Sequence, residues 1–125
     1  MGNKKLPGIA AADIGGVAYG IFKEGTRHVG ETIGIAGEHL TGEQLAAGLS
    51  KALGEEVTYY SVPWDQYRQF DFPGADDMGN MYQFKHDFQE AFVGARDLDV
   101  ARRLHPELQT FAQWIEENGS KIPKH

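Results

Sequence analysis

The sequence predicts a mixed α/β fold: a small parallel β–α–β unit with several flanking helices, forming a single domain over residues 1–125. Three observations carry this. A β-rich run, an amphipathic helical run and a second β-rich run follow one another between Thr32 and Pro63, about the span of one right-handed crossover. Apolar residues recur at intervals of three and four over several further segments, as in helices that bury one face. A length of 125 residues, 41% hydrophobic and 24% charged, suits one globular domain with a modest core.

The first element to justify is the glycine-crowded "GIAAADIGGVAYGIF". A dinucleotide-binding loop needs G-x-G-x-x-G between a strand and a helix. Gly8, Gly15, Gly16 and Gly20 fit that pattern in no window, and the polar "MGNKKLPGI" before them is a poor buried first strand. The run instead predicts a helix with Asp13 as its N-cap and Gly25 just past its end. Ile14, Val17, Ala18, Ile21 and Phe22 then share one face. Glycine inside a helix costs about 1 kcal/mol relative to alanine, so these glycines mark close approach by another element.

In the crossover unit, "TIGIAG" is the first strand. "LTGEQLAAGLSKALG" is the helix, with Thr41 and Gln44 at capping-box spacing and Gly54 at the C′ position. "EEVTYYSVP" is the second strand, rich in β-branched and aromatic residues. Pro63 suits the first turn of a helix over "PWDQYRQF", which "DFPGADD" ends in a proline–glycine turn. A longer helix begins near Asp76 or Asp77, with Met78, Met81, Phe84, Phe88 and Phe92 along one stripe. That stripe is read as core or, alternatively, as a groove for an apolar ligand or partner. "ARDLDVARRL" is a further short helix. Thr110 and Gln113 repeat the capping-box spacing before "FAQWIEEN", which ends at Asn118-Gly119.

Several residue patterns bear on chemistry. His86 and Glu90 are four apart on one helical face, but a closed zinc site needs four ligands and no second cluster accompanies them. Ser50, Ser61 and Ser120 lack the G-x-S-x-G turn of an esterase nucleophile. His28 and His105 read as surface or capping residues, and Asp76 and Asp77 as dipole-facing acids at a helix start. Tyr82 and Lys85 are three apart, where the dehydrogenase Tyr–Lys pair needs four. No catalytic residue and no metal site is assigned.

A net charge of −6 with scattered lysines and arginines argues against a nucleic-acid surface, which needs a basic stripe. With no cysteine, disulfides and thiolate chemistry are excluded. No apolar run reaches the 18 or so residues of a membrane span, and the N-terminus lacks the build of a signal peptide. A cytoplasmic location is expected, with no membrane partner.

"PGIAAADIGGVAYGIFK", "VGETIGIAGEHLTGEQLAAGLSKALG", "DFPGADDMGNMYQF" and "HPELQTFAQWIEENG", in that order, resemble the C-terminal part of NmrA-like proteins, of the atypical short-chain dehydrogenase/reductase group. Members of that family typically pair such a lobe with a Rossmann domain that binds NADP. No counterpart of that half, of its glycine loop or of its 2′-phosphate-binding arginine is seen in this chain, so no cofactor and no cofactor-binding residue is assigned to it alone. The resemblance implies a non-catalytic lobe with a binding or regulatory role. By position, Phe72, Pro73, Gly74, Met78, Met81 and Phe84 would line its small-molecule cleft. A missing Rossmann layer would leave apolar faces bare, so a homodimer or higher closed oligomer is expected, with Val17, Ile21, Ile33 and Tyr59 at the interface. Two alternatives stand beside this. The chain could be part of an NAD(P)-dependent oxidoreductase whose Rossmann half is on another polypeptide, or a small module that binds an apolar ligand.

Overall fold

The computed structural model describes residues 1–124. The sequence of elements is β1 (Lys5–Gly8), α1 (Ala11–Lys23), a 3-10 turn (Gly25–His28), β2 (Glu38–Thr41), α2 (Gly42–Leu53), α3 (Trp64–Tyr67), α4 (Ala75–Asp87), α5 (Gln89–Gly94), α6 (Leu98–Leu104), α7 (Phe111–Asn118) and a closing 3-10 turn (Gly119–Lys121). The chain is thus mixed α/β, as its sequence predicts.

The sheet differs from expectation. β1 and β2 pair antiparallel, with Leu6 opposite Leu40 and Pro7 opposite His39. No parallel β–α–β unit forms among the described residues. The strand begins just beyond "TIGIAG", and its partner is the N-terminal "KLPG". Pro7 is tolerated there because each strand of a two-stranded ladder keeps a free edge. Residues 31–36 and 56–63 lie in no helix, turn or ladder. A strand is stable only against a neighbour, and neither segment finds one within the chain. Gly34 holds the first segment so close to the Ala95 carbonyl oxygen that a Cβ would clash.

α1 packs across α6 to make the core. Val17, Ala101, Leu104 and Leu108 form its centre, with Ile9, Ile21, Ile33, Ile35 and Val100 against them. Val17 is 1% exposed. The expectation that it faces a partner is therefore corrected: the chain covers this residue itself. Two of the α1 glycines make the seam possible. A Cβ at Gly16 would stand 2.6 Å from the His105 ring, and one at Gly20 would enter the Leu104 carbonyl group. The close approach expected of this helix is thus made to α6 and the residue after it.

Asp13 is not the N-cap. Ala10 occupies that position without a side-chain bond, and Asp13 lies inside the first turn, 5% exposed. Its carboxylate reaches forward in the chain: Oδ2 accepts from the Gln109 amide at 2.9 Å, and Oδ1 lies 3.1 Å from His105 Nε2. A buried carboxylate is tolerable only with such partners. The two capping boxes form as expected, at Thr41–Gln44 and Thr110–Gln113, and Gly54 ends α2 at φ 67°. α7 gains a further anchor, because Glu38 Oε2 accepts from the Phe111 amide at 2.7 Å. α2 packs on α7, and α3 on α4.

Candidate ligand-binding site

The serines that lack a catalytic setting hold a loop in place. Ser50 Oγ accepts from the Val57 amide at 2.8 Å and shares its own proton between the Ala46 and Val57 carbonyls, at 2.9 and 3.2 Å. At the other end Ser61 Oγ accepts from the Gly2 amide at 2.9 Å. The 57–62 segment is therefore pinned at both ends beside α2, by hydroxyls in place of a strand. Along it Val57, Tyr59 and Ser61 are half-buried while Thr58 and Tyr60 are exposed, the alternation of a β-strand.

Between this segment and α2 opens a cavity of about 380 Å³, lined also by Tyr67 of α3 and Tyr82 of α4. Leu45, Ala46 and Leu49 give it an aliphatic wall from α2; Val57 and Val62 face them. Tyr59 also packs its ring on Gly42, at the first residue of α2, where any Cβ would collide with it. Tyr67 and Tyr82 meet edge to face, with centroids 5.1 Å apart. Burial pushes the Tyr82 phenol above its ordinary value, and the nearby Tyr67 and Tyr59 hydroxyls push it further in the same direction. Lys4 brings the one charged side chain among the residues lining this cavity. A second hollow, of about 350 Å³, lies between β1, the start of α1 and α7, where Glu38, Phe111 and Trp114 face Ile9.

The residues expected to form a cleft lie elsewhere. Phe72, Pro73 and Gly74 are exposed in the turn before α4, Met78 is half-buried, and Met81 and Phe84 are exposed along the outer side of α4. None of the six is among the residues lining the 380 Å³ cavity. Of these six, Phe84 stacks at a tilt on Phe88, 5.1 Å away, and Phe72 meets Tyr67 edge-on. Of the residues expected at an interface, Ile21 and Ile33 are half-buried against the core and Tyr59 lines the cavity.

The other candidates have structural partners. Phe88 breaks the helix between His86 and Glu90, which fall on α4 and α5, and His86 Nδ1 sits 2.9 Å from Asp87. Among the described residues no group of three or more His, Cys, Asp or Glu is placed to hold a metal. The Lys85 ammonium lies over the Phe92 ring at 5.2 Å; burial lowers its pKa, and Arg96 adds to that. The glycines of α1 do not fit a nucleotide phosphate, because Gly16 and Gly20 sit inside a helix against His105 and Leu104. Sequence reading missed the Asp13–His105–Gln109 link and the convergence of Tyr59, Tyr67 and Tyr82, since both join residues far apart in the chain. The one local signal was Asp13, a lone acid in an apolar run.

Fold and site together define a small mixed α/β protein with a cavity walled by aliphatic and tyrosine side chains. The model of the NmrA-like family matches residues 2–115, and the chain belongs to that family. No helix among the described residues is long and apolar enough to cross a membrane.

Proposed function

We propose that this chain is a non-catalytic NmrA-like lobe with a binding or regulatory role, exercised through self-association. The observation that carries this reading is the second face of α1. Ile14 and Phe22 lie on it, eight residues apart and so on one side of the helix, and Phe22 is 80% exposed. Val29, just beyond the 3-10 turn, is 79% exposed. Large apolar side chains exposed to water favour a partner, and a second copy presenting the same residues gives a closed pair. Sedimentation equilibrium at micromolar concentration should show a dimer, and Phe22→Asp should shift it to monomer without lowering the urea midpoint. A monomeric wild type removes this reading.

A second reading is supported by residues 32–35, whose peptide groups make no backbone hydrogen bond among the described residues. They offer an edge to a sheet on another polypeptide, as in an NAD(P)-dependent oxidoreductase assembled from two chains. In either case the isolated chain should bind no NADPH, followed by the nucleotide's fluorescence. Saturable binding at micromolar concentration contradicts the absence of a phosphate-binding turn.

A further inference from the structure

The cavity between α2 and the 57–62 segment has features that a packing gap lacks. Its walls are aliphatic, from Leu45, Leu49, Val57 and Val62. Three phenols, Tyr59, Tyr67 and Tyr82, gather at one region of it, close enough for the first two to affect the ionisation of the third. An apolar chamber with a few convergent polar groups is the usual build of a small-molecule site. The segment that walls it is fixed: Ser50 and Ser61 hold both its ends, and Gly42 lets the Tyr59 ring lie directly on α2.

We infer that this cavity is a binding site for a small planar aromatic molecule of about two fused rings carrying one neutral oxygen acceptor. Size sets the ring count. An apolar cavity of about 150 Å³ holds one benzene, and this one has about 380 Å³. The aromatic character follows from tyrosine rings, which favour edge and offset contacts with another ring. The acceptor follows from the phenol hydroxyls, which can donate to it, that of Tyr82 held protonated by burial; no carboxylate lines the cavity to draw a cation. Lys4 tolerates the same acceptor. The site goes beyond the association surface on α1 and does not depend on it, since it uses none of Ile14, Phe22 or Val29.

The test uses 2-naphthol as probe, with naphthalene as its counterpart lacking the oxygen, both titrated into the full chain while amide and ring resonances are followed by NMR. Saturable one-to-one shifts confined to α2, residues 57–62, Tyr67 and Tyr82 are expected. Tyr82→Phe, which keeps the ring, should weaken 2-naphthol about three- to tenfold, the worth of one neutral hydrogen bond, and leave naphthalene unchanged. Leu49→Trp, which fills the chamber, should abolish both. Absence of saturation overturns the proposal. So do shifts centred on α1, or 2-naphthol binding that neither Tyr82→Phe nor Leu49→Trp alters. A monomeric chain that passes this test would sink the self-association reading alone; a dimer that fails it would sink only the site.

Discussion

Along α1 one face carries Asp13, Gly16, Val17 and Gly20, all turned into the molecule, while Ile14, Tyr19 and Phe22 stand in water. Both faces are apolar enough to be read as core. The buried one is built from small residues and one fully partnered carboxylate, so that α6 can approach to backbone contact. The bare one carries large side chains left mostly to solvent, Tyr19 65% and Phe22 80% exposed. Hydrophobic spacing alone does not tell an internal seam from an external surface; the size of the residues at the contact does, because only small ones let two helices close.

The largest effect should come from closing that seam to a methyl group. Gly20→Ala puts a Cβ into the Leu104 carbonyl group, which is backbone and cannot rotate aside. A loss of about 2–3 kcal/mol is expected, at the upper end of ordinary overpacking, read from urea unfolding. A neutral result would mean that α1 and α6 do not pack this closely. Asp13→Ala comes next. It strands the Gln109 amide and frees His105 from its partner, so about 2 kcal/mol should be lost; Asp13→Asn should recover part of it.

Thr41→Ala sits outside the comparison and calibrates it, at about 1 kcal/mol for a lost N-cap. The cap is made by Thr41 Oγ1, which accepts from the Gln44 amide at 3.2 Å. Gln44→Ala should cost less. Gly15→Ala sharpens the contrast within α1, since a Cβ there meets nothing within 4 Å. It should stabilise the chain by up to about 1 kcal/mol, the helix preference of alanine over glycine. Destabilisation instead would show that the bare face is covered in solution, which would itself favour the association reading.

The smallest effect is a pH dependence at the end of α1. Hydrogen bonding to Glu31, then to Glu24, raises the His28 pKa from its ordinary 6.5, and His28, followed by Arg103, lowers that of Glu24 from 4.5. The raised histidine contributes stability that is full below 6.5 and is lost as pH climbs through its folded value. The lowered carboxyl contributes stability that is full above 4.5 and is lost as pH drops through its folded value. Both act together between pH 4.5 and 6.5. The difference in urea midpoint between wild type and His28→Gln should be widest in that window and shrink on the alkaline side.

Much of the helix inventory was legible locally. Thr41–Gln44, Thr110–Gln113, Gly54 and the acids Asp76 and Asp77 act within one turn of where they stand, so the chain alone specifies them. The sheet was not legible. "TIGIAG" and "VTYYSV" have strand composition, but composition names no partner, and neither finds one here. The cavity was not legible for a related reason: the Met and Phe stripe of α4 is regular, yet its outer positions face water, and the cavity draws its tyrosines from three separate segments.

The sequence by itself determined the two capping boxes, the glycine end of α2, the family and the absence of cysteine chemistry. All depend on residues adjacent in the chain, or on simple presence. Tertiary structure alone decided that Asp13 is a buried link and not a cap, that Val17 faces inward, and that Ser50 and Ser61 tie down the 57–62 segment. Each of these depends on which distant groups arrive beside a residue. A carboxylate, a valine or a hydroxyl has the same local preferences wherever it stands, and the neighbours it meets on folding set whether it is solvated, packed or bonded.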